Sequence, residues 1–292
     1  MNNIEVKLNE FGFYEIISKP TEKELEEYYN EKYYQLGLGS YNLEYSQDEL
    51  IHIKNKIEEK LYIVSKFISL DSTTTVLDIG CGEGWVLSYL KEKGIPATGI
   101  DYSSFGCRKF NPDSIDDFIE ADIYATLDQF TKENKRYKLV WVDNVLEHVL
   151  DPYDLIIRCN NLLDDGGVLM VEVPNDFSVL QKYLLDHEYI DRQFWIAYPD
   201  HLSYFNREGL NRLAGKAGLT EVFAMADFPI DINLLNEHTN YIKDKSKGKS
   251  CYASKISFEN LIHSNGIESA INLYKSFIDA GIGRCLTSFF VK

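Results

Sequence analysis

Cysteine is scarce and scattered. Cys81, Cys107, Cys159, Cys251 and Cys285 make an odd set with no CxxC spacing. That excludes a disulfide framework and a cysteine-built zinc site, and reads as reduced thiols. Long hydrophobic runs are missing too, and no stretch reaches the roughly 20 apolar residues of a membrane helix. The opening MNNIEVKLNEFGFYEIISKP has neither the basic n-region nor the apolar h-region of a secretory leader, so a cytoplasmic location is expected. Positive charge is also in short supply. The formal net charge of -16 argues against non-specific binding to nucleic acid or an anionic membrane, since both need a basic face. There is no internal repeat and no low-complexity tract. Apolar residues, at 45%, are plentiful enough for a sizeable core and exclude global disorder. A length of 292 residues suits one large domain, or a domain with an elaboration.

The chain alternates strand and helix signals from about residue 75. TTVLDIG reads as a strand and GWVLSYLKEKG as a helix closed by Gly94. ATGIDY, FIEADI, YKLVWVDNV and VLMVEVPN read as further strands, with YATLDQF and PYDLIIRCNNLL as helices between them, the second closed by DDGG. REGLNRLAGKAG is a helix before a sixth strand, LTEVFAMADF, and RCLTSFFVK is a terminal strand. Strands separated by single helices pair in parallel. The fold class expected is α/β: a doubly wound, mostly parallel, seven-stranded Rossmann-like sheet. An N-terminal helical extension precedes it, and an insertion before the last strand makes that edge antiparallel. Thr21 with Glu24, and Ser46 with Glu49, have capping-box spacing, so helices should start there. Leu50, Ile53, Ile57, Leu61 and Val64 recur at helical spacing behind the second box. The segments expected are a helical lid or cap over 1–70, a cofactor-binding core over 71–230, a helical insertion over 231–281 and the terminal strand over 282–292.

VLDIGCGEGW, from Val76 to Trp85, is the chemical signal. Ligands of open α/β sheets bind at the carboxyl ends of strands, and glycines at the first strand-to-helix turn let backbone approach a ligand. A dinucleotide site wants GxGxxG, with pyrophosphate on a helix N-terminus. Here Gly80, Gly82 and Gly84 give GxGxG, and bulky Trp85 stands where the third dinucleotide glycine belongs. Asp78 would repel a pyrophosphate, but suits a cation or an amino group.

These residues resemble motif I of the class I S-adenosylmethionine-dependent methyltransferases, DxGxGxG, at Asp78, Gly80, Gly82 and Gly84. Four further segments resemble that family in order: GIDYS, EADIY, VDNVLEHVLDP and HLSYFNREGLNRLAGKAGL. The last two resemble its ubiquinone-methyltransferase-like and bacterial sugar-modifying branches. The resemblance covers roughly residues 75–228. It implies S-adenosylmethionine as cofactor and S-adenosylhomocysteine as product. It places Asp101, followed by Tyr102, at the ribose hydroxyls, and Asp122 and Ile123 at the adenine. Cys81 would be a small residue beside the cofactor. Asp143 and Asn144 could line the methyl site, though Asn144 could also only close the strand, and Tyr34 could be a contact from the N-terminal segment.

Methyl transfer from a sulfonium is an in-line displacement. Alignment can supply about 7–11 kcal/mol, and a general base about 10²–10⁴-fold. His148 and His201 follow the fourth and fifth strands and are the candidate bases or acceptor contacts; each could instead hold its loop. Relatives with ExxEH bind a divalent metal in this place. Here Asn144 replaces the first acid, giving NxxEH, so no metal is expected. The cysteine cluster of relatives that methylate carbon on deoxysugars is absent from the sequence.

The N-terminal stretch resembles the lead-in of bacterial sugar-modifying methyltransferases, and Tyr28, Tyr29, Tyr33, Tyr34, Tyr41 and Tyr45 could cover the site or pack on the core. KDKSKGKS, with Lys243, Lys245, Lys247 and Lys249, is either a solvated loop or a clamp for an anionic acceptor. The expected enzyme methylates a small molecule: a hydroxyl of a nucleotide-linked, phosphorylated or surface-glycan sugar. Its rivals are a quinone or phenol O-methyltransferase and a catalytically inactive cofactor-binding subunit. A homodimer stays open.

Overall fold

The computed structural model describes residues 4–30 and 44–292. Its main sheet holds β3 (Val76–Ile79), β4 (Ala97–Asp101), β5 (Phe118–Glu120), β6 (Tyr137–Asp143), β7 (Leu163–Pro174), β9 (Thr220–Ala226) and β10 (Cys285–Val291). The strand order is β5-β4-β3-β6-β7-β10-β9. The first five pair in parallel, and β10 runs antiparallel between β7 and β9. This is the doubly wound sheet with one antiparallel edge read from the alternation. β3 and residues 139–142 of β6 are buried throughout, as parallel strands covered on both faces must be.

Helices cover both faces. On one side lie α5 (Ile123–Lys132), α6 (Pro152–Leu162) and α8 (Arg207–Lys216), packed on Leu77, Ile79, Val140 and Val142. On the other lie α2 (Gln47–Val64), α3 (Trp85–Glu92) and α10 (Ile267–Asp279), packed on Val76, Trp141 and Met170. Period-2 alternation of side chains separates the two cores. Both expected capping boxes form. Thr21 opens α1 (Glu22–Asn30), and Ser46 exchanges bonds with Glu49 at the start of α2.

Three features depart from the sequence reading. The N-terminal segment is not helical throughout: β1 (Val6–Leu8) and β2 (Tyr14–Ile16) form a hairpin, and β2 pairs with β8 (Ser203–Tyr204). Two short helices were unread, α4 (Phe105–Phe110) and α7 (Val179–Asp186). DDGG does not close α6; that helix ends at Leu162, and Asp164 to Gly167 already belong to β7. The insertion folds as two helices, α9 (Gly248–Ser264) and α10, broken at Gly266 with φ 119°. No helix among the described residues is long and apolar enough to cross a membrane.

Candidate active site

The glycine turn leaves β3 at its carboxyl end. Gly80 has φ 72° and Gly82 φ 50°, in the left-handed region that glycine enters without penalty. At Gly80 the constraint is also steric, since a Cβ would lie 2.3 Å from Val145 Cγ2. At Gly82 a Cβ would meet no atom of the described residues nearer than 4.0 Å, its chain neighbours aside. Among the described residues the turn is therefore bare backbone with no side chain packed on Gly82. Cys81 is buried, its sulfur fills the gap beside Gly99, and burial pushes its thiol well up, so it is inert packing. Asp78 lies just before the turn, 2% exposed. Burial raises its proton affinity, Asp143 and Asp101 raise it further, and Lys60 pulls the other way.

Asp101 closes the turn from β4. One carboxylate oxygen accepts from the Gly82 N–H at 2.9 Å and the other from the Ser103 N–H at 3.1 Å. Burial raises its pKa against these bonds. A carboxylate has about four acceptor positions, so two engaged N–H groups leave capacity for ligand hydroxyls. Asp122 caps α5 through the Ala125 N–H at 2.7 Å, and its second oxygen accepts from Tyr102 Oη at 2.7 Å. Ile123 is buried behind it. Gly82, Asp101, Tyr102 and Asp122 are thus linked along one sheet edge. Tyr34, like Tyr33 and Tyr41, lies outside the described residues.

The end of β6 holds a partner that the sequence reading missed. Lys60 of α2 is 5% exposed and reaches Asp143 Oδ2 at 2.6 Å and Glu172 Oε2 at 3.0 Å. Asp143 also accepts from Asn144 Nδ2 at 2.7 Å. Asn144 is exposed, with φ 53°, and its N–H donates to the Glu172 carbonyl. Lys60 could not be singled out among the lysines of α2, because its partners lie far along the chain.

His148 and His201 meet. Their ring centroids are 4.9 Å apart at 81°. Leu202 and Ser203 donate backbone N–H groups to the Glu147 carbonyl, which joins the two loops. His148 Nδ1 lies 2.6 Å from the Asp200 carbonyl. Glu147 is 1% exposed, and its Oε1 is 3.7 Å from His148 Nε2. Burial raises the Glu147 pKa well above the carboxylate range, and nearby Asp176, Asp143 and Glu172 add to it. Ligand atoms of Glu147, His148 and His201 all lie within 4.8 Å of one another, which is metal-binding spacing. No metal is expected from NxxEH alone, and His201 lies in a separate loop far along the chain, so the sequence does not announce this three-residue cluster. One lysine of the 243–249 run is engaged elsewhere. Lys247 binds the Glu237 carbonyl and pairs with Asp244.

The chain has known relatives in sequence and in fold. The methyltransferase domain family matches residues 50–222. The ubiquinone biosynthesis O-methyltransferase of Nitrosomonas europaea is 27% identical over 165 residues, covering 56% of this chain and 70% of that protein. The protein of that name from Saccharophagus degradans is 25% identical over 202 residues, covering 66% and 82%. In fold, a SAM-dependent methyltransferase from Archaeoglobus fulgidus is similar with a TM-score of 0.50 at 20% identity, covering 91% of this chain and 99% of that one. A family match that runs from α2 into β9, through more than half of the residues, settles the class: the chain belongs to the methyltransferase domain family and is an S-adenosylmethionine-dependent methyltransferase.

Proposed function

We propose that the enzyme methylates a hydroxyl oxygen of a small molecule, with His148 as general base. The contact of His148 Nδ1 with the Asp200 carbonyl carries this reading. A carbonyl only accepts, so Nδ1 bears the proton and Nε2 bears the lone pair. S-adenosylmethionine supplies a methyl group on a positively charged sulfur. His148 Nε2 takes the acceptor's hydroxyl proton as the oxygen bonds to the methyl carbon. S-adenosylhomocysteine would leave with the electron pair of the sulfur–methyl bond. His201 packs against His148 and orients the ring. Asp78, Gly80, Cys81, Gly82, Asp101, Tyr102, Asp122, Ile123 and Asn144 are assigned to the cofactor. The N-terminal segment to residue 70 and the 231–281 insertion are assigned as covers of the site.

For the acceptor we favour a phenol or quinol hydroxyl. The names of the curated relatives support it. A phosphorylated or nucleotide-linked sugar has less support, because Lys247 of the lysine run is engaged with Asp244 and the Glu237 carbonyl. The test is methyl transfer from S-adenosylmethionine to caffeate and to UDP-glucose, read by mass spectrometry. A methylated caffeate supports the phenol reading, and methylation of UDP-glucose alone would reverse it.

A second reading comes from the spacing of Glu147, His148 and His201. Two imidazoles and a carboxylate suit a divalent transition metal. These residues would hold the ion, which would lower the pKa of a bound hydroxyl as a Lewis acid. Turnover lost on dialysis against EDTA and restored by Mn²⁺ or Zn²⁺ favours the metal. Turnover unchanged by EDTA favours the base.

A further inference from the structure

A recess of about 700 Å³ opens beside the glycine turn, outside the His148–His201 cluster. Tyr45, just before α2, and Glu49 in its first turn contribute from one side, the glycine turn contributes Glu83 and Trp85, and α9 contributes Tyr252. Glu83 is its most informative residue. It is 9% exposed. Its Oε2 accepts from Tyr45 Oη at 2.6 Å and from Trp85 Nε1 at 2.6 Å, while its buried Oε1 has no hydrogen-bond partner among the described residues. No Lys or Arg pairs with Glu83 among the described residues. Buried carboxylate oxygens are ordinarily satisfied, and leaving one unpaired costs free energy. Holding the turn does not need this side chain, since the Glu83 backbone carbonyl already accepts from Asn111 Nδ2 at 2.8 Å.

The surroundings define what fits. Tyr45 stands edge-on to Trp85 at 5.5 Å and to Phe110 at 5.1 Å. Glu44 and Glu49 line the same recess, with Lys249 the one cation among its described lining residues. Lys249 stabilises the Glu49 carboxylate, which also caps α2. Three carboxylates against one ammonium repel an anion. Aromatic faces beside carboxylates attract an organic cation, through the ring quadrupole and direct charge.

We propose that this recess is a subsite for a protonated or quaternary amine carried by the acceptor, seated between the Glu83 carboxylate and the Tyr45, Trp85 and Tyr252 rings. The role as an acceptor subsite rests on the methyl-transfer reading; the binding of an amine does not. The acceptor class is then a hydroxyl compound that bears an amine.

The probe is choline, compared with its neutral carbon analogue, in which a tert-butyl group replaces the trimethylammonium. Both are titrated into the protein with and without S-adenosylhomocysteine, by calorimetry and tryptophan fluorescence. Trp141 and Trp195 are 0% and 2% exposed, so Trp85 reports the recess. The expected result is saturable choline binding, at least about tenfold tighter than the analogue, on the scale of a desolvated cation–π contact. Glu83→Gln should weaken choline at least tenfold and leave S-adenosylhomocysteine affinity near that of the wild type. If that variant misfolds, Tyr252→Leu on α9, away from the turn, takes its place with the same expectation. Equal binding of choline and the analogue, no saturable choline binding, or choline affinity unchanged in the variant would overturn the proposal. Wild-type protein that binds S-adenosylhomocysteine but not choline would remove this proposal alone. Failure to bind S-adenosylhomocysteine would count against the methyl-transfer reading instead.

Discussion

Lys60 and Asp143 form a buried ion pair, 2.6 Å apart, that ties α2 to the carboxyl end of the central strand β6. Glu172 of β7 shares the same ammonium at 3.0 Å. Removing the cation would leave carboxylates uncompensated beside Asp78. Breaking such a pair from one side costs about 3–5 kcal/mol. Lys60→Met should therefore lose stability on that scale. Its abandoned carboxylates would take up protons more readily in the folded state, so the variant should regain stability relative to wild type as pH falls. Urea denaturation at about pH 7 and about pH 5.5 measures this through proton linkage. A deficit that does not narrow at the lower pH contradicts the assignment.

His148→Gln keeps a polar side chain but removes the base. Turnover should fall by about 10²–10⁴-fold. The affinity for S-adenosylhomocysteine should stay near that of the wild type. The rise of kcat/KM with pH should disappear in the variant. A variant that keeps both the rate and the rising limb places the base elsewhere.

Asp101→Ala removes the acceptor of the Gly82 and Ser103 N–H groups. Bonds to charged groups contribute about 1.5–3 kcal/mol each. S-adenosylhomocysteine affinity should fall by about 10–150-fold, measured by calorimetry. Unchanged affinity would separate Asp101 from the cofactor.

Asp176 gives a pH dependence of known sign. Burial raises its pKa from 3.8 to about 6, against the opposing pull of Arg284 at 3.0 Å. The folded state therefore binds more protons than the unfolded chain between those values. Stability should decline as pH rises through that window, by on the order of 3 kcal/mol from this group. Asp176→Asn should flatten that part of the stability curve in urea titrations. Identical slopes in variant and wild type would contradict it.

The parts of the molecule legible in the sequence are those imposed by the backbone. Gly80 and Gly82 sit where positive φ is required, and Asp78 stands before them, so the glycine turn could be read directly. The strands of the sheet announced themselves as apolar runs between helices. The β1–β2 hairpin did not, because two strands of three residues each are too short for an alternation to show. DDGG misled because glycine stops helices, yet Gly166 and Gly167 here bend the start of β7. The Glu147–His148–His201 cluster depends on the Glu147 carbonyl receiving Leu202 and Ser203, a contact between distant loops. Long-range contacts of that kind, like the partners of Lys60, leave no local pattern.

Gly82 offers the most direct test. A Cβ there meets no atom of the described residues nearer than 4.0 Å, its chain neighbours aside, so Gly82→Ala should intrude on the proposed cofactor space rather than on the fold. Left-handed backbone at alanine costs only about 1–2 kcal/mol. Calorimetric titration with S-adenosylhomocysteine should show saturable one-to-one binding to the wild type. It should show at least tenfold weaker binding to Gly82→Ala, with the circular dichroism spectrum retained. No binding to the wild type, or equal affinity in the variant, would contradict the placement of the cofactor on this turn.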